Sequence, residues 1–202
     1  MKKVFIFLIL FSSIYAQNNI GFTTGLNLSK MFYPEDGIEP SEINFKPGFN
    51  IGLEIEQDWM KAGFSFQQKG TEEVLTFDDT TKVIGNYLYN FPSFHILGQY
   101  KINNSFIGLA GLQAGYAING ELKIETVIGP VKIKETLKRD IEELGVGWDL
   151  GLLIGAEYMV NTVYGLRILY HHSLLPMKQE LDTDAKFGFS SISCMGIFHF
   201  SL

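Results

Sequence analysis

GVGWDLGLLIGAEYMVNTVYGLRILYHH, residues 145–172, alternates with a period of two on both sides of a tight turn. Every second residue from Val146 is apolar: Trp148, Leu150, Leu152, Ile154, Ala156 and Tyr158 follow it. The residues between are Gly145, Gly147, Asp149, Gly151, Leu153, Gly155 and Glu157, a face of glycine and acids. Beyond Val160-Asn161-Thr162, Tyr164, Leu166, Ile168 and Tyr170 continue the apolar face, and Gly165, Arg167 and His171 continue the small or polar one. Strict alternation carried through a short turn predicts an antiparallel strand pair.

The same rule runs outward from this hairpin. Toward the N-terminus, Ile20, Phe22, Leu26 and Leu28 oppose Gly21, Gly25, Asn27 and Ser29. Phe49, Ile51, Leu53 and Ile55 then oppose Gly48, Asn50, Gly52, Glu54 and Glu56. A tight turn at Gln57-Asp58 leads to Met60, Ala62, Phe64 and Phe66 against Lys61, Gly63, Ser65 and Gln67. Residues 86–102 carry Tyr87, Tyr89 and Phe91 on one parity and Phe94, Ile96 and Tyr100 on the other, which predicts a bulge or kink near Pro92. Asn103-Asn104-Ser105 turns the chain into a strand with Leu112, Ala114, Tyr116 and Ile118, and the last strand carries Ile192, Cys194, Gly196, Phe198, Phe200 and Leu202. Short turns alternate with long polar stretches at 31–46, 70–82, 119–144 and 173–186; ELKIETVIGPVKIKETL within the third predicts a projecting hairpin around Gly129-Pro130.

Composition narrows the class. The chain has 202 residues, room for one domain, with 21 glycines and 17 phenylalanines against 6 prolines, a balance that favours sheet. Sixteen Lys and Arg face 22 Asp and Glu, which disfavours a nucleic-acid partner. Lys2-Lys3, the apolar run Val4 to Phe11 and the end Ser12-Ser13-Ile14-Tyr15-Ala16 form a secretory signal, with cleavage expected after Ala16. The domains are therefore a cleaved signal peptide, 1–16, and a barrel domain, 17–202. Cys194 is the only cysteine, so neither an internal disulfide nor a cysteine metal cluster can hold the fold.

Alternation leaves open which face looks inward. A secreted lipocalin-like barrel would turn the apolar face in, around an apolar ligand; a membrane barrel turns it out, into lipid. The apolar face carries no charge at its central positions, and a lysine or arginine at the bilayer midplane costs about 2–4 kcal/mol. The other face mixes small residues with Glu54, Glu56, Lys61, Asp149, Glu157 and Arg167, a predicted interior polar cluster in which Glu157 faces Arg167 across one turn and Glu54 or Glu56 faces Lys61 across another. Aromatic residues near strand ends, Trp59, Tyr100, Trp148, Tyr158, Tyr164, Tyr170, Phe198 and Phe200, form an expected interfacial girdle. The fold class is all-β: an eight-stranded antiparallel up-and-down transmembrane β-barrel with a plugged polar interior.

GFTTGLNLSK (21–30), KPGFNIGLEIE (46–56), FSFQQKG (64–70), YNFPSFHILGQYKI (89–102), GLLIGAEY and YGLRILYHHSL resemble the PorT-like outer-membrane β-barrel family of the Bacteroidota. The resemblance covers essentially the whole mature chain. It implies an integral outer-membrane protein with outer-membrane lipid as its surroundings and, in some members, a tie to secretion and gliding machinery. The ending ISCMGIFHFSL is similar to the terminal strand read by the barrel-assembly machinery, with Leu202 where phenylalanine is more typical.

The expected function is a non-enzymatic structural, surface-binding or secretion-assembly module, termini in the periplasm, with protein partners at long extracellular loops. An alternative reading is a lipid A deacylase-like hydrolase, with His171 as base, Ser173 as nucleophile and Glu180, Asp182 or Asp184 as the acid; Leu174 stands where that family has asparagine. His95, His171, His172 and His199 show no metal-ligand spacing, the acids Glu142-Glu143 and Asp78-Asp79 read as solvated loop positions, and no phosphate-binding glycine loop precedes a helix. No catalytic residue, cofactor or metal is expected.

Overall fold

Period-two alternation becomes continuous extended chain wherever one face meets lipid and the other a narrow lumen. The computed structural model describes residues 19–33, 41–137, 147–175, 177–178 and 186–201. The signal peptide with its bond after Ala16, the loop acids Glu142-Glu143, Glu180, Asp182 and Asp184, and Leu202 lie outside the described residues.

The strands are β1 (Asn19–Phe32), β2 (Glu42–Gln57), β3 (Met60–Thr76), β4 (Thr81–Lys101), β5 (Phe106–Tyr116), β6 (Asn119–Ile128), β7 (Val131–Leu137), β8 (Trp148–Met159), β9 (Tyr164–Ser173), β10 (Met177–Lys178) and β11 (Lys186–Ser201). They correct the expectation of an eight-stranded up-and-down ring. Ten strands lie on one antiparallel path, β3-β2-β1-β11-β9-β8-β5-β4-β6-β7, and β10 pairs with β11 off it. β3 also pairs with β4, so the path rolls back on itself, yet unevenly. β4 carries β5 along Ser93–Lys101 and β6 along Thr81–Asn90, and β7 ends the path with no strand on its outer edge among the described residues. The barrel therefore branches at β4 and does not close as an even ring.

Two readings of the sequence explain the discrepancy. Residues 70–82, polar enough to look like a loop, are strand on both sides of a short connection, because Thr71, Val74, Thr76, Thr81, Val83 and Ile84 are β-branched. The 119–144 hairpin forms at β6 and β7, but it docks on β4 and does not continue the strands before and after it.

The expected kink near Pro92 is absent. β3 and β4 stay in unbroken register from Met60↔Gly98 to Thr76↔Lys82. What changes there is the neighbour on the other side, and proline, which has no N–H to donate, sits in the gap between β6 and β5. The apparent slip in phase is a change in which face is apolar: Tyr89 and Phe91 point inward and are buried, while Phe94 and Ile96 point outward. The bulge lies in β2 instead, between Phe45 and Asn50, around Pro47.

Orientation follows the lipid-facing expectation. Leu152, Ile154, Leu166 and Ile168 are exposed on the outer wall, whereas Arg167 and Lys61 are buried inside. The outward apolar band ends in Trp59, Tyr100, Tyr158, Tyr164 and Phe198 at the short-turn end, and gives way to outward Lys30, Lys46, Gln68 and Asn90 at the other. Inside, the lumen is filled. Leu97, Ile107, Leu109, Leu153, Leu169 and Met195 form an apolar cluster along one wall, so the interior is less polar than the sequence led one to expect.

Wall and lumen are packed closely enough to be tested. A Cβ at Gly111 would stand 1.9 Å from the Ile96 carbonyl oxygen and 2.9 Å from Leu97 Cα, whereas one at Gly147 would meet nothing within 4 Å. Gly111→Ala is expected to destabilise the barrel by about 1–3 kcal/mol, the usual cost of overpacking, and Gly147→Ala to leave it unchanged. The fraction of each variant keeping heat-modifiable gel mobility along a urea series reads the difference; equal midpoints would refute the packing described.

Candidate functional site

Two buried polar clusters cross the lumen. The first is built on the two short hairpins that the sequence singles out. Glu157 and Arg167 are register partners across the β8–β9 turn, and Glu56 and Lys61 across the β2–β3 turn. Arg167 is held by a fork: Nη1 and Nη2 donate to the two Glu54 oxygens at 2.7 and 2.6 Å, and Nε and Nη2 to Glu157 Oε2 at 3.0 and 2.7 Å. Lys61 donates to both Glu157 oxygens at 2.9 Å and stands 3.5 Å from Glu56. Bidentate, charge-assisted bonds of this kind are the strong ones. Gly21 and Gly63 make the room: a Cβ at Gly21 would meet Glu54 Cγ at 2.8 Å, and one at Gly63 the His95 ring at 2.7 Å.

Asp149 does not join that cluster. It anchors a second one, where Lys69 donates to its Oδ2 at 2.6 Å and Ser173 to its Oδ1 at 2.6 Å. His171 lies beside them, with Nδ1 3.3 Å from Lys69 Nζ and Nε2 3.6 Å from Asp149. Sequence reasoning missed Lys69, His95 and His199. Lys69 shares the parity of Lys61 four steps of the alternation further on, a signal that was there to be used; His95 and His199 share parity with inward Leu97 and Ile197.

Above the second cluster an aromatic cap of Met31, Tyr89, Phe91, Ala117, Phe187 and Phe189 fills the lumen, and Lys69 Nζ lies 5.3 Å from the Phe91 ring centre. Beyond the outward Lys30–Asn90 limit of the lipid band, Glu73 accepts a hydrogen bond from the Tyr33 hydroxyl. Burial pushes the Glu73 carboxyl up, and burial together with the Glu73 charge pushes Tyr87 up to about 12.

The hydrolase reading fails on geometry. Ser173 directs its proton to Asp149, its oxygen accepts the Phe189 N–H at 2.8 Å, and its hydroxyl also lies 3.1 Å from the Phe189 carbonyl. His171 faces Lys69 and Asp149, and both Ser173 and His171 are buried beneath the cap. A serine whose proton goes to a carboxylate and whose oxygen caps a backbone amide is a strut, not a nucleophile. The lipocalin-like reading fails too, since the outer wall is apolar, with Leu152, Ile154, Leu166 and Ile168 exposed, and the lumen is occupied by the protein's own side chains. Among the described residues no group of three His, Cys, Asp or Glu side chains could hold a metal.

Arg167→Ala leaves Glu54 and Glu157 facing each other without their guanidinium, and should lower stability by about 3–5 kcal/mol. Lys134→Ala, which removes one exposed partner of Glu125 on β7, should leave the unfolding midpoint unchanged. Equal midpoints for the two in detergent would contradict the first cluster. Ser173→Ala should cost about 1–3 kcal/mol through the lost acceptor for Phe189 N–H while cellular lipid A keeps its acylation pattern; altered acylation would restore the hydrolase.

Residues 15–179 match the family described as outer membrane protein beta-barrel domain. No curated protein matches the sequence. Among solved structures, the fold is similar to the attachment invasion locus protein Ail of Yersinia pestis in its complex with the heparin analogue sucrose octasulfate, at 14% identity, TM-score 0.50, with 92% of this chain and 100% of that one covered. It is likewise similar to Neisserial surface protein A, at 10% identity, TM-score 0.51, with 90% of this chain and 97% of that one covered. At these identities the likeness establishes the fold alone. With lipid-facing walls, a filled lumen and a family match over most of its length, the chain belongs to the outer membrane protein beta-barrel domain family and is an integral protein of the outer membrane.

Proposed function

We propose that this barrel is a surface module whose working part is the sheet that projects beyond the lipid band, presented by a barrel that conducts nothing. The observation that carries this reading is the projection itself: the outer ends of β2, β3 and β4 with β6 and β7 form an arm, while the lumen beneath is blocked by the aromatic cap and the two ion clusters. The arm is two-faced. Ile124, Ile128, Val131 and Ile133 share one face with Val83, interrupted by Glu135, and Glu125, Lys123, Lys132 and Lys134 share the other with Val127. A sheet with an apolar face and an open edge outside the membrane is a surface for protein recognition.

In this reading the arm is extracellular, the short turns and both termini are periplasmic, residues 1–16 are the cleaved signal, and 17–202 is the mature barrel. The six interior charges, Glu54, Glu56, Lys61, Asp149, Glu157 and Arg167, serve to hold the barrel together and do no chemistry. Membership of the PorT-like group, and with it a place in secretion or gliding assembly, is supported by the quoted resemblance. The barrel-assembly machinery would act on the β11 end during biogenesis.

Sidedness is tested in whole cells, in a Cys194→Ser background because Cys194 is exposed on the lipid side. Lys132→Cys on the arm should react with a membrane-impermeant maleimide in intact cells. Thr162→Cys in the β8–β9 turn should react only after the outer membrane is opened. The reverse pattern would turn the molecule over and remove the surface role.

A further inference from the structure

β7 closes the arm on one side, and among the described residues no strand pairs with its outer edge. The two-residue turn at Gly129-Pro130 makes Ile128 and Val131 the closing pair of the hairpin. In an antiparallel ladder such a pair exchanges both its hydrogen bonds and the next pair does not, so Val131, Ile133 and Glu135 turn their N–H and C=O groups toward β6. Lys132, Lys134 and Thr136 turn theirs outward. The edge therefore offers a row of donors and acceptors spaced for one more strand. Its side chains alternate as well: Val131, Ile133 and Glu135 lie on one face of the sheet, Lys132 and Lys134 on the other. Among the described residues Glu125 alone pairs with these lysines, 3.6 Å from Lys132 and 3.1 Å from Lys134, and both remain exposed. One carboxylate between two ammonium groups leaves a positive charge at the edge.

A second copy of the chain does not suit this edge. A two-fold axis centred on Ile133 would set Lys132 against the other copy's Lys134, one centred on Lys134 would set that lysine against itself, and one centred on Glu135 would set glutamate against glutamate. Each register that uses most of β7 thus opposes like charges, which destabilises a cross-strand pair. A strand with acids opposite Lys132 and Lys134, and apolar side chains opposite Val131 and Ile133, meets no such conflict and extends the apolar face of the arm. We propose that the outer edge of β7 takes up, as an added strand, an extended segment of a partner protein in which acidic and apolar residues alternate. The inference rests on the arm being the exposed working surface of the barrel, and it names the kind of partner that surface receives.

The test uses the full mature chain in a non-ionic detergent, with backbone nitrogens labelled with nitrogen-15. The probes are acetyl-Thr-Thr-Glu-Val-Glu-Val-Thr-amide, its counterpart with lysine for both glutamates, and the glutamate peptide N-methylated at both glutamates. The first should shift the Lys132 and Lys134 amide resonances saturably and slow their exchange with solvent. The lysine counterpart should bind about tenfold more weakly, as expected when attractive cross-strand pairs become repulsive, and the N-methylated peptide about tenfold more weakly through the lost ladder bonds. Lys132→Ala and Lys134→Ala together should weaken the glutamate peptide several-fold while the barrel keeps its heat-modifiable mobility. No saturable shift, or equal affinity for the glutamate and lysine peptides, would overturn the proposal. An N-methylated peptide as tight as its parent would reduce the contact to charge alone and overturn strand addition. Protection of the same amides that grows with protein concentration in the absence of peptide would make a second copy the occupant and overturn the partner assignment. Detergent leaves both ends of the barrel open to the peptide, so failure here is separate from failure of the maleimide labelling, which tests sidedness.

Discussion

The guanidinium of Arg167, gripped by Glu54 and Glu157, is the contact on which the rest of the barrel depends. Glu157 sits on the neighbouring strand, but Glu54 lies on β2, separated from β9 by β1 and β11. The fork therefore ties opposite walls across the lumen, and Lys61 on β3 adds a third wall to the same knot. A buried ion group of this kind is seldom more stabilising than well-packed hydrocarbon would be. Its value here lies in discrimination. A one-residue slip of β9 would place Arg167 in lipid and Ile168 or Leu166 in the lumen, exchanging every side chain between faces. With lipid on one side, that error costs about 2–4 kcal/mol for the arginine alone, before the two abandoned carboxylates are counted.

The lumen behaves as the core of a soluble protein wrapped in a single sheet. Ions gather where β2, β3, β8 and β9 approach, while the wall formed by β4, β5, β8, β9 and β11 supplies Leu97, Leu109, Leu153, Leu169 and Met195. Gln67 and Gln113 bridge the space between, 2.9 Å apart. Filling the interior this way keeps the ion pairs buried, which strengthens each of them. The aromatic cap closes the other end, with Phe91 and Phe189 edge to face.

How much of this was readable depended on the distance over which register is fixed. Glu157 with Arg167 and Glu56 with Lys61 could be paired from sequence because a tight turn sets the partner of every residue near it. Asp149 was grouped with them on parity alone, and parity does not say which level of the lumen a residue reaches. Its partner Lys69 lies 80 residues away, and Arg167 reaches Glu54 across 113. Such contacts follow from the stagger of strands around the barrel, which no local pattern encodes. The strand count failed for a different reason: the hairpin around Gly129-Pro130 was read as a projection of its sequence neighbours, whereas β6 docks on the outer length of β4, and GTEEVLT and TKVIGNY, which lengthen β3 and β4 there, lack the alternation that would have announced that length.

The difference between lipid and water explains where the sheet is allowed to branch. A strand of about 9–11 residues crosses a bilayer, yet β3 has 17 residues and β4 has 21, with the surplus lying beyond Gln68 and Asn90. Within hydrocarbon an unpaired sheet edge would leave N–H and C=O groups without partners, so the wall there must be continuous. In water the same groups are satisfied by solvent, and a strand may change neighbours or end a sheet. β4 changes neighbours between Asn90 and Ser93, at the one residue of that stretch with no N–H to lose, Pro92. The edge of β7, unpaired among the described residues, lies beyond that point, and Pro92 stands where β4 passes from the continuous wall to the part of the sheet that can branch.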